Sequence, residues 1–550
     1  MTADPIGEGL GGRRRKQADI LIGLVGEAGL FHAADGTGYA DLWIDGHRET
    51  WPIRSKGFTR WLARKFFEET EGAPSSQAMQ SAMNVIEARA QFDGPQRVVN
   101  IRVAELCDKL YLDLADDAWR AVEIDEGGWC IVDEPPVRFR RAAGMQPLPA
   151  PVAGGSVETL RPFLNVGSDN DFVLIVAWAL AVLRDKGPYP TVVLSGEQGS
   201  AKSTFSAILR ALLDPNTAPL RALPREDRDL FIAANNGHVL TFDNVSRLPV
   251  WISDTLCRLA TGGGFAVRQL YTDQDEVLFD ATRPVVLNGI EDIITRPDLA
   301  DRALFLRLEP IPEERRRPEK ELRAEFDKAR PEILGALLDA VSLGLRQLPD
   351  TRLEKLPRMA DFELWATACE GALWQEGTFS RAYADNRDDA IDSVIEADPV
   401  ASAVCSLMGS QTEWTGTASN LLGALAGVVS ETVSRAKMWP ATAQVLSGRL
   451  RRAATFLRKV GIDITFEREG RARTRTIRIT CLLENAAAEP SSPSASSSDQ
   501  GEYERDNGFG GVPPDHSTDR DKAPDSWVAD GADDTDANFH ADSGHWRVRL

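Results

Sequence analysis

Apolar residues change period several times along the chain, and each change marks a predicted element. Tyr39–Ile44 and His47–Ile53 alternate on either side of Asp45-Gly46, the residue pair a tight hairpin turn favours. Trp119–Ile124 and Trp129–Val132, separated by Asp125–Gly128, predict a second hairpin. Phe172–Leu183 is apolar throughout and reads as a buried helix, too short to cross a bilayer. Thr191–Leu194 is a β-branched strand leading into a Gly-rich turn, and an apolar helix pattern follows through Phe205, Ile208 and Leu212. Leu322, Phe326, Ile333, Leu337, Leu338 and Val341 fall near helical spacing. Near the end, Thr442–Val460 predicts a helix, and Ile462–Arg468 and Arg473–Thr480 predict two strands joined around Glu469-Gly470.

These elements divide the chain. Residues 17–145 read as a mixed α/β domain of unassigned role, closed by the linker Pro147–Gly155. Residues 160–311 alternate strand and helix, as a parallel α/β sheet with flanking helices would. Residues 312–395 read as a helical lid, 396–483 as a winged-helix module, and 485–550 as a disordered acidic tail.

Composition sharpens this division. The net charge of −20 argues against nucleic-acid binding until its distribution is read. The tail holds 14 Asp and Glu against 5 Lys and Arg, nearly half of the net charge, whereas Arg449–Arg478 is strongly basic. Such a tail either competes with DNA for the basic stretch or merely solubilises the chain. The six cysteines (107, 130, 257, 369, 405 and 481) stand singly, which argues against a zinc site or disulfide framework and for a reducing cytoplasm. No apolar leader follows Arg13–Lys16, so a cytoplasmic protein without membrane attachment is expected. Tyr111–Asp117 carries paired acids but no supporting His or basic set, and reads as surface acids rather than a two-metal centre.

The chemistry concentrates in Gly196, Glu197, Gln198, Gly199, Ser200, Ala201, Lys202, Ser203 and Thr204. A strand, this loop and a helix are what a phosphate-binding P-loop needs, because backbone N–H groups at a helix start point at anions. Lys202 is expected on the β- and γ-phosphates of ATP, and Ser203 on Mg²⁺. Ala201 stands where Gly is usual. Its methyl fits if it is right-handed and Gly199 supplies any positive φ. His238–Phe242 is a buried strand ending in Asp243, the second expected Mg²⁺ ligand. Asn244 stands where ATPases often carry a catalytic Glu, and Asn cannot take a proton. Glu197, Glu226 and Asp227 are substitute bases. Asn288, ending the strand Arg283–Leu287, either meets the γ-phosphate or its water, or caps the turn before Gly289. Arg302 is either a finger reaching a neighbouring subunit's site or an ordinary ion-pair residue.

The order of P-loop, Asp strand, Thr261-Gly262-Gly263 hairpin with Arg268, Asn strand and Arg resembles superfamily-three helicases, especially the helicase half of phage and poxvirus-type primase–helicases. Ala201, Gly264 and Asn244 depart from that pattern. The resemblance implies an ATP-dependent DNA helicase of a phage or mobile element, working as a homo-oligomer of the hexameric-ring type. It also implies that Gly263, Phe265 and Arg268 line a channel for single-stranded DNA. The basic helix and wing, with Arg449, Arg452, Arg473 and Arg475, are expected on double-stranded DNA phosphates. Two other classes stay open: an ATP-switched replication initiator with weak hydrolysis, and a regulatory ATPase acting on a protein.

Overall fold

The computed structural model describes residues 15–482 apart from 264, 269–275, 280–281, 291–292, 295, 437 and 470–473. Both predicted hairpins form. Strands β1 (Gly29–His32), β2 (Gly38–Ile44) and β3 (His47–Pro52) make an antiparallel sheet in that order, with Ile44 opposite His47. Asp45 and Gly46 both have positive φ, as a type I′ turn requires. Helices α1 (Gln17–Gly23), α2 (Lys56–Thr70) and α3 (Ser76–Phe92) bury Leu21, Phe58, Leu62 and Ile86 with Ala40 and Leu42 of this sheet. The Ser55 and Ser75 hydroxyls accept from the Phe58 and Ala78 N–H groups and so start α2 and α3.

The second hairpin belongs to a different sheet, β4 (Val103–Leu106), β5 (Lys109–Asp113), β6 (Ala121–Asp125) and β7 (Gly128–Val132), in that order. Its Leu110, Leu112, Val122 and Ile124 enter the central core of the molecule. The 17–145 stretch therefore contains two sheets with different packing partners. The reading of Tyr111–Asp117 as surface acids needs correction at Asp113. That carboxylate is buried against Arg141 Nη2 at 2.7 Å and accepts the Ala115 N–H. Asp113 closes β5, and the burial of Leu112 and Leu114 on either side takes it inward.

The central layer follows from the run at Phe172. Helix α4 (Asp169–Val182) is buried from Phe172 to Val182, as a helix apolar all round must be. Each large side chain there stabilises the fold by about 1.5–3 kcal/mol. Next come β8 (Thr191–Ser195), α5 (Lys202–Leu213), α6 (Asp227–Asn236), β9 (Leu240–Phe242) and α7 (Val250–Thr261). They are followed by β10 (Phe265–Arg268), β11 (Glu276–Phe279), β12 (Val285–Asn288), α8 (Pro297–Ala300) and β13 (Ala303–Arg307). A four-stranded parallel sheet has the order β13-β8-β12-β9, and β10 and β11 pair separately as an antiparallel hairpin.

Helices α9 (Glu319–Gln347), α10 (Ala360–Glu370) and α11 (Thr378–Ala397) follow. Ile333, Leu337, Phe362, Trp365 and Phe379 from these helices share the α4 core. The 147–155 linker crosses α9 closely. The Val152 N–H donates to the Pro331 carbonyl at 2.9 Å, and a Cβ on Gly335 would lie 1.9 Å from the Val152 carbonyl oxygen. Only glycine allows that approach.

The last described module runs α12 (Pro399–Met408), β14 (Glu413–Gly416), α13 (Ala418–Val428), α14 (Glu431–Ser434), α15 (Ala443–Lys459), β15 (Ile462–Glu469) and β16 (Thr474–Cys481). The predicted β15–β16 hairpin is joined by β14, giving the order β14-β16-β15. Helix α15 buries Leu446, Leu450, Phe456 and Leu457 and turns Arg451, Arg452 and Arg458 outward. Among the described residues, no helix is long and apolar enough to cross a membrane.

Candidate phosphate-binding site

The Gly-rich loop sits at the carboxyl end of β8, held by contacts that make its residue types necessary. A Cβ on Gly196 would lie 2.3 Å from the Leu308 carbonyl oxygen, while the Leu308 N–H donates to the Ser195 carbonyl at 2.8 Å. Ser200 Oγ donates to the Glu197 carbonyl at 2.9 Å. Asn165 Nδ2 braces the loop from outside, donating to the Ser200 and Glu309 carbonyls at 3.0 and 2.7 Å. The expectation for Ala201 is wrong in one respect: φ is +60° there as well as +87° at Gly199. Ala201 is the residue before the first turn of α5, and the loop enters the helix through a left-handed turn. For a residue with a Cβ that conformation costs about 1–2 kcal/mol.

Lys202 and Ser203 open α5. Lys202 Nζ donates to the Gly196 and Glu197 carbonyls, both at 2.8 Å, and to Ser200 Oγ at 3.1 Å. Burial lowers its pKa, against the opposing charge of Asp243. Ser203 Oγ donates to Asp243 Oδ1 at 2.8 Å, so both expected metal ligands meet although forty positions separate them. Two hard oxygen donors at a solvent-accessible sheet edge suit Mg²⁺, which binds through one or two carboxylates together with phosphates and waters. Among the described residues, no group of three or more His, Cys, Asp or Glu could hold a metal alone.

Asn288 ends β12, the strand between β8 and β9. Its amide is buried and held at both ends: Oδ1 accepts the Asn244 N–H at 3.0 Å, and Nδ2 donates to Ser206 Oγ at 3.0 Å. It ties the Asn244 turn to α5. Asn244 has φ +56°, which Asn tolerates. Arg302 is not near this site in its own chain. Its carbonyl accepts the Thr191 N–H at 2.8 Å, placing it at the opposite end of β8 from Gly196. Its Nη1 donates to the Asp298 carbonyl and lies 3.6 Å from Cys257 Sγ. Of the two sequence alternatives, reach into another subunit is the one that leaves it a role with phosphates.

Three contributors escaped the sequence reading. Asn165 is a lone residue with no local signature. Arg316 lies beside Gly199, where a Cβ would sit 3.6 Å from its guanidinium; the Arg315–Arg317 run is its single sequence signal. The third is a buried network. Arg102 Nε and Arg210 Nη2 contact Asp214 at 3.0 and 3.2 Å, and Asp214 Oδ2 accepts the His238 and Val239 N–H groups. Burial alone would raise the Asp214 carboxyl; Arg210 and Arg102 hold it well below its usual range. The network joins the β4–β7 region, the end of α5 and the approach to β9, which carries Asp243. Arg210 and Asp214 are four apart at the end of α5, but no local pattern connects them to Arg102 or His238.

The expected DNA-contacting residues divide. Gly263 lies at the start of the β10–β11 hairpin with φ +150°, and Phe265 and Arg268 stand on β10. Arg473 lies outside the described residues, as does the 485–550 tail. Arg452, Arg468 and Arg475 are exposed. Other basic groups are engaged: Arg449 with the Met438 carbonyl, Arg451 over the Phe466 ring at 4.1 Å, Arg458 with Asp463, Lys459 with Asp301 and Arg478 with Glu413.

No curated protein matches the chain. Among solved structures, the C-terminal region of NrS-1 (A form, apo) is 12% identical, over 85% of this chain and 99% of that one, with a TM-score of 0.38. The SCCmec type IV Cch active helicase is 11% identical, over 82% and 93%, with a TM-score of 0.43. Residues 157–392 match the family model of the actinomycete integrative conjugative element replication protein, and 400–497 that of the AICE RepA C-terminal domain. Over those two stretches, in order, the chain matches a replication protein of a mobile element.

Proposed function

We propose that this chain is an ATP-dependent DNA motor that unwinds or remodels DNA during replication of a mobile element. The observation that carries the reading is the meeting of Lys202, Ser203 and Asp243 at one edge of a parallel sheet. In this reading the loop N–H groups and Lys202 bind the triphosphate, and Ser203 and Asp243 hold Mg²⁺. The cation supplies charge neutralisation on the β- and γ-oxygens. Asn288 positions the Asn244 turn, the β10–β11 hairpin contacts single-stranded DNA, and Arg302 serves a neighbouring subunit in a homo-oligomeric ring. The α12–β16 module, with the helix and strand order of a winged helix, binds duplex phosphates.

One observation favours a second reading. Asn244 beside Asp243 offers no proton acceptor, which suits a slow ATP-driven assembly switch at an origin. ATPase and strand-displacement assays on the full chain separate the two. A motor shows DNA-stimulated hydrolysis and displacement, both abolished by Lys202→Ala. Nucleotide-dependent assembly on DNA without displacement favours the switch. Hydrolysis indifferent to DNA in a folded protein overturns both and favours a protein partner.

A further inference from the structure

A cavity of about 10 Å³ lies between the end of α5, residues 218–221 and β9. That is room for one occupant of water or halide size. Two polar side-chain atoms of its lining residues have no hydrogen-bond partner, Arg210 Nε and Thr241 Oγ1. Both residues are 3% exposed. Buried polar groups left without a partner are costly, and each one calls for an explanation. Among the described residues lining the cavity, none carries a carboxylate or amide; Arg221 adds a second guanidinium, and the other side chains are apolar. The local charge is cationic. Arg210 Nη2 meets Asp214 at 3.2 Å, but Asp214 is shared with Arg102. Burial lowers the Arg210 pKa, Asp214 opposes that, and the charges of Arg221 and Arg102 lower it further.

We propose that this cavity is a binding site for a single monovalent anion of halide size, held by the Arg210 Nε–H and the Thr241 hydroxyl. An anion accepts from both donors and needs no acceptor in return. A water molecule fills the same volume, but it brings two protons of its own and leaves the surplus of cations uncompensated. Hydrogen bonds in which both partners are charged are also the stronger kind. The site uses none of the residues of the Gly196–Ser203 loop and does not depend on a triphosphate there. It does adjoin the expected metal ligand. The Arg221 N–H donates to the Thr241 carbonyl at 3.1 Å, and the Asp243 N–H donates to the Arg221 carbonyl at 2.9 Å. An anion joining Arg210 of α5 to Thr241 of β9 therefore fixes the strand end from which Asp243 follows.

The test uses the full chain and chloride as the probe. Sodium chloride replaces sodium gluconate at constant ionic strength, because gluconate is too large for the cavity. The Tm of the wild type should rise saturably, by about 2 °C once chloride stands about tenfold above its Kd. Thr241→Val keeps the branched shape, removes the hydroxyl and should lose at least half of that rise. A wild-type Tm indifferent to the exchange overturns the site, and so does an equal rise in a folded Thr241→Val protein. Should Thr241→Val misfold, crystals of the wild type grown in sodium bromide decide. An anomalous peak within hydrogen-bond distance of Arg210 Nε and Thr241 Oγ1, together with the chloride response, supports the site. Such a peak without a Tm response marks an adventitious ion only, and a peak without anomalous signal marks a water; either result rejects the proposal.

Discussion

Ser203 Oγ lies 2.8 Å from Asp243 Oδ1, a hydrogen bond between the first turn of α5 and the tip of β9. In the proposed reading a hard cation takes both oxygens. Asp243→Ala is expected to abolish Mg²⁺-dependent turnover, and Ser203→Ala to lower apparent Mg²⁺ affinity. Both sites are solvent-accessible, so melting temperatures should move little. Normal turnover in Asp243→Ala at limiting Mg²⁺ would remove this carboxylate from the metal site.

Ala201 holds a left-handed backbone with φ +60°. Glycine adopts that conformation freely but loses more entropy on folding. Ala201→Gly is therefore expected to stabilise the chain by about 1 kcal/mol, as strain relief of about 1–2 kcal/mol outweighs the entropy term. A scanning-calorimetry Tm at or above wild type fits this expectation, and a fall of several degrees contradicts it.

His238 is fully enclosed, and burial holds its imidazole down to about 4 from 6.5, with Asp214 partly offsetting. Between those values the unfolded chain carries a proton that the folded chain lacks. Stability therefore falls as pH drops from 6.5 toward 4, by up to about 1.4 kcal/mol per unit from this group. Asp214, held low by its arginines, keeps its own contribution until the medium is more acid than the usual Asp range. The apparent Tm of His238→Gln should change less steeply from pH 6.5 to 4.5 than that of wild type. Equal slopes would show that His238 titrates normally.

Arg302 stands at the end of β8 opposite Gly196, so any contact with a triphosphate must cross a subunit boundary. Arg302→Ala should hydrolyse ATP poorly by itself. Mixing it with Lys202→Ala should restore turnover, because some interfaces then combine an intact loop with an intact arginine. A finger contributes roughly 10³–10⁵ in rate, so recovery should be plain. Normal hydrolysis by Arg302→Ala alone would make the residue structural.

Arg452, Arg468 and Arg475 are exposed, whereas five neighbouring basic groups are engaged within the chain. Duplex binding by the full chain, read by fluorescence anisotropy, should weaken with salt. Changing Arg452 and Arg475 to Ala should flatten the log–log slope by about two. Truncation after residue 484 should tighten binding if the acidic tail competes. A slope unmoved by the double change would take these residues off the DNA.

The sequence alone determined what depends on neighbours in the chain. Asp45-Gly46 specifies its own turn, Phe172–Leu183 cannot face water, and Gly196–Ser203 carries its loop chemistry in consecutive residues. Tertiary structure decided whatever depends on distant partners. Asn288 reads equally as a phosphate contact or a turn cap, and only the fold shows its amide tied to Ser206 and the Asn244 N–H. Arg302 reads as a finger or an ion-pair residue, and only the Thr191 N–H on its carbonyl shows that it stands at the end of β8 away from Gly196. Arg102, Asp214 and His238 carry no pattern, because a buried network is joined through space and needs no spacing in sequence. Ala201 shows the same limit at one residue: local propensity favours a right-handed backbone, and a loop held by Leu308 and Asn165 takes the other hand.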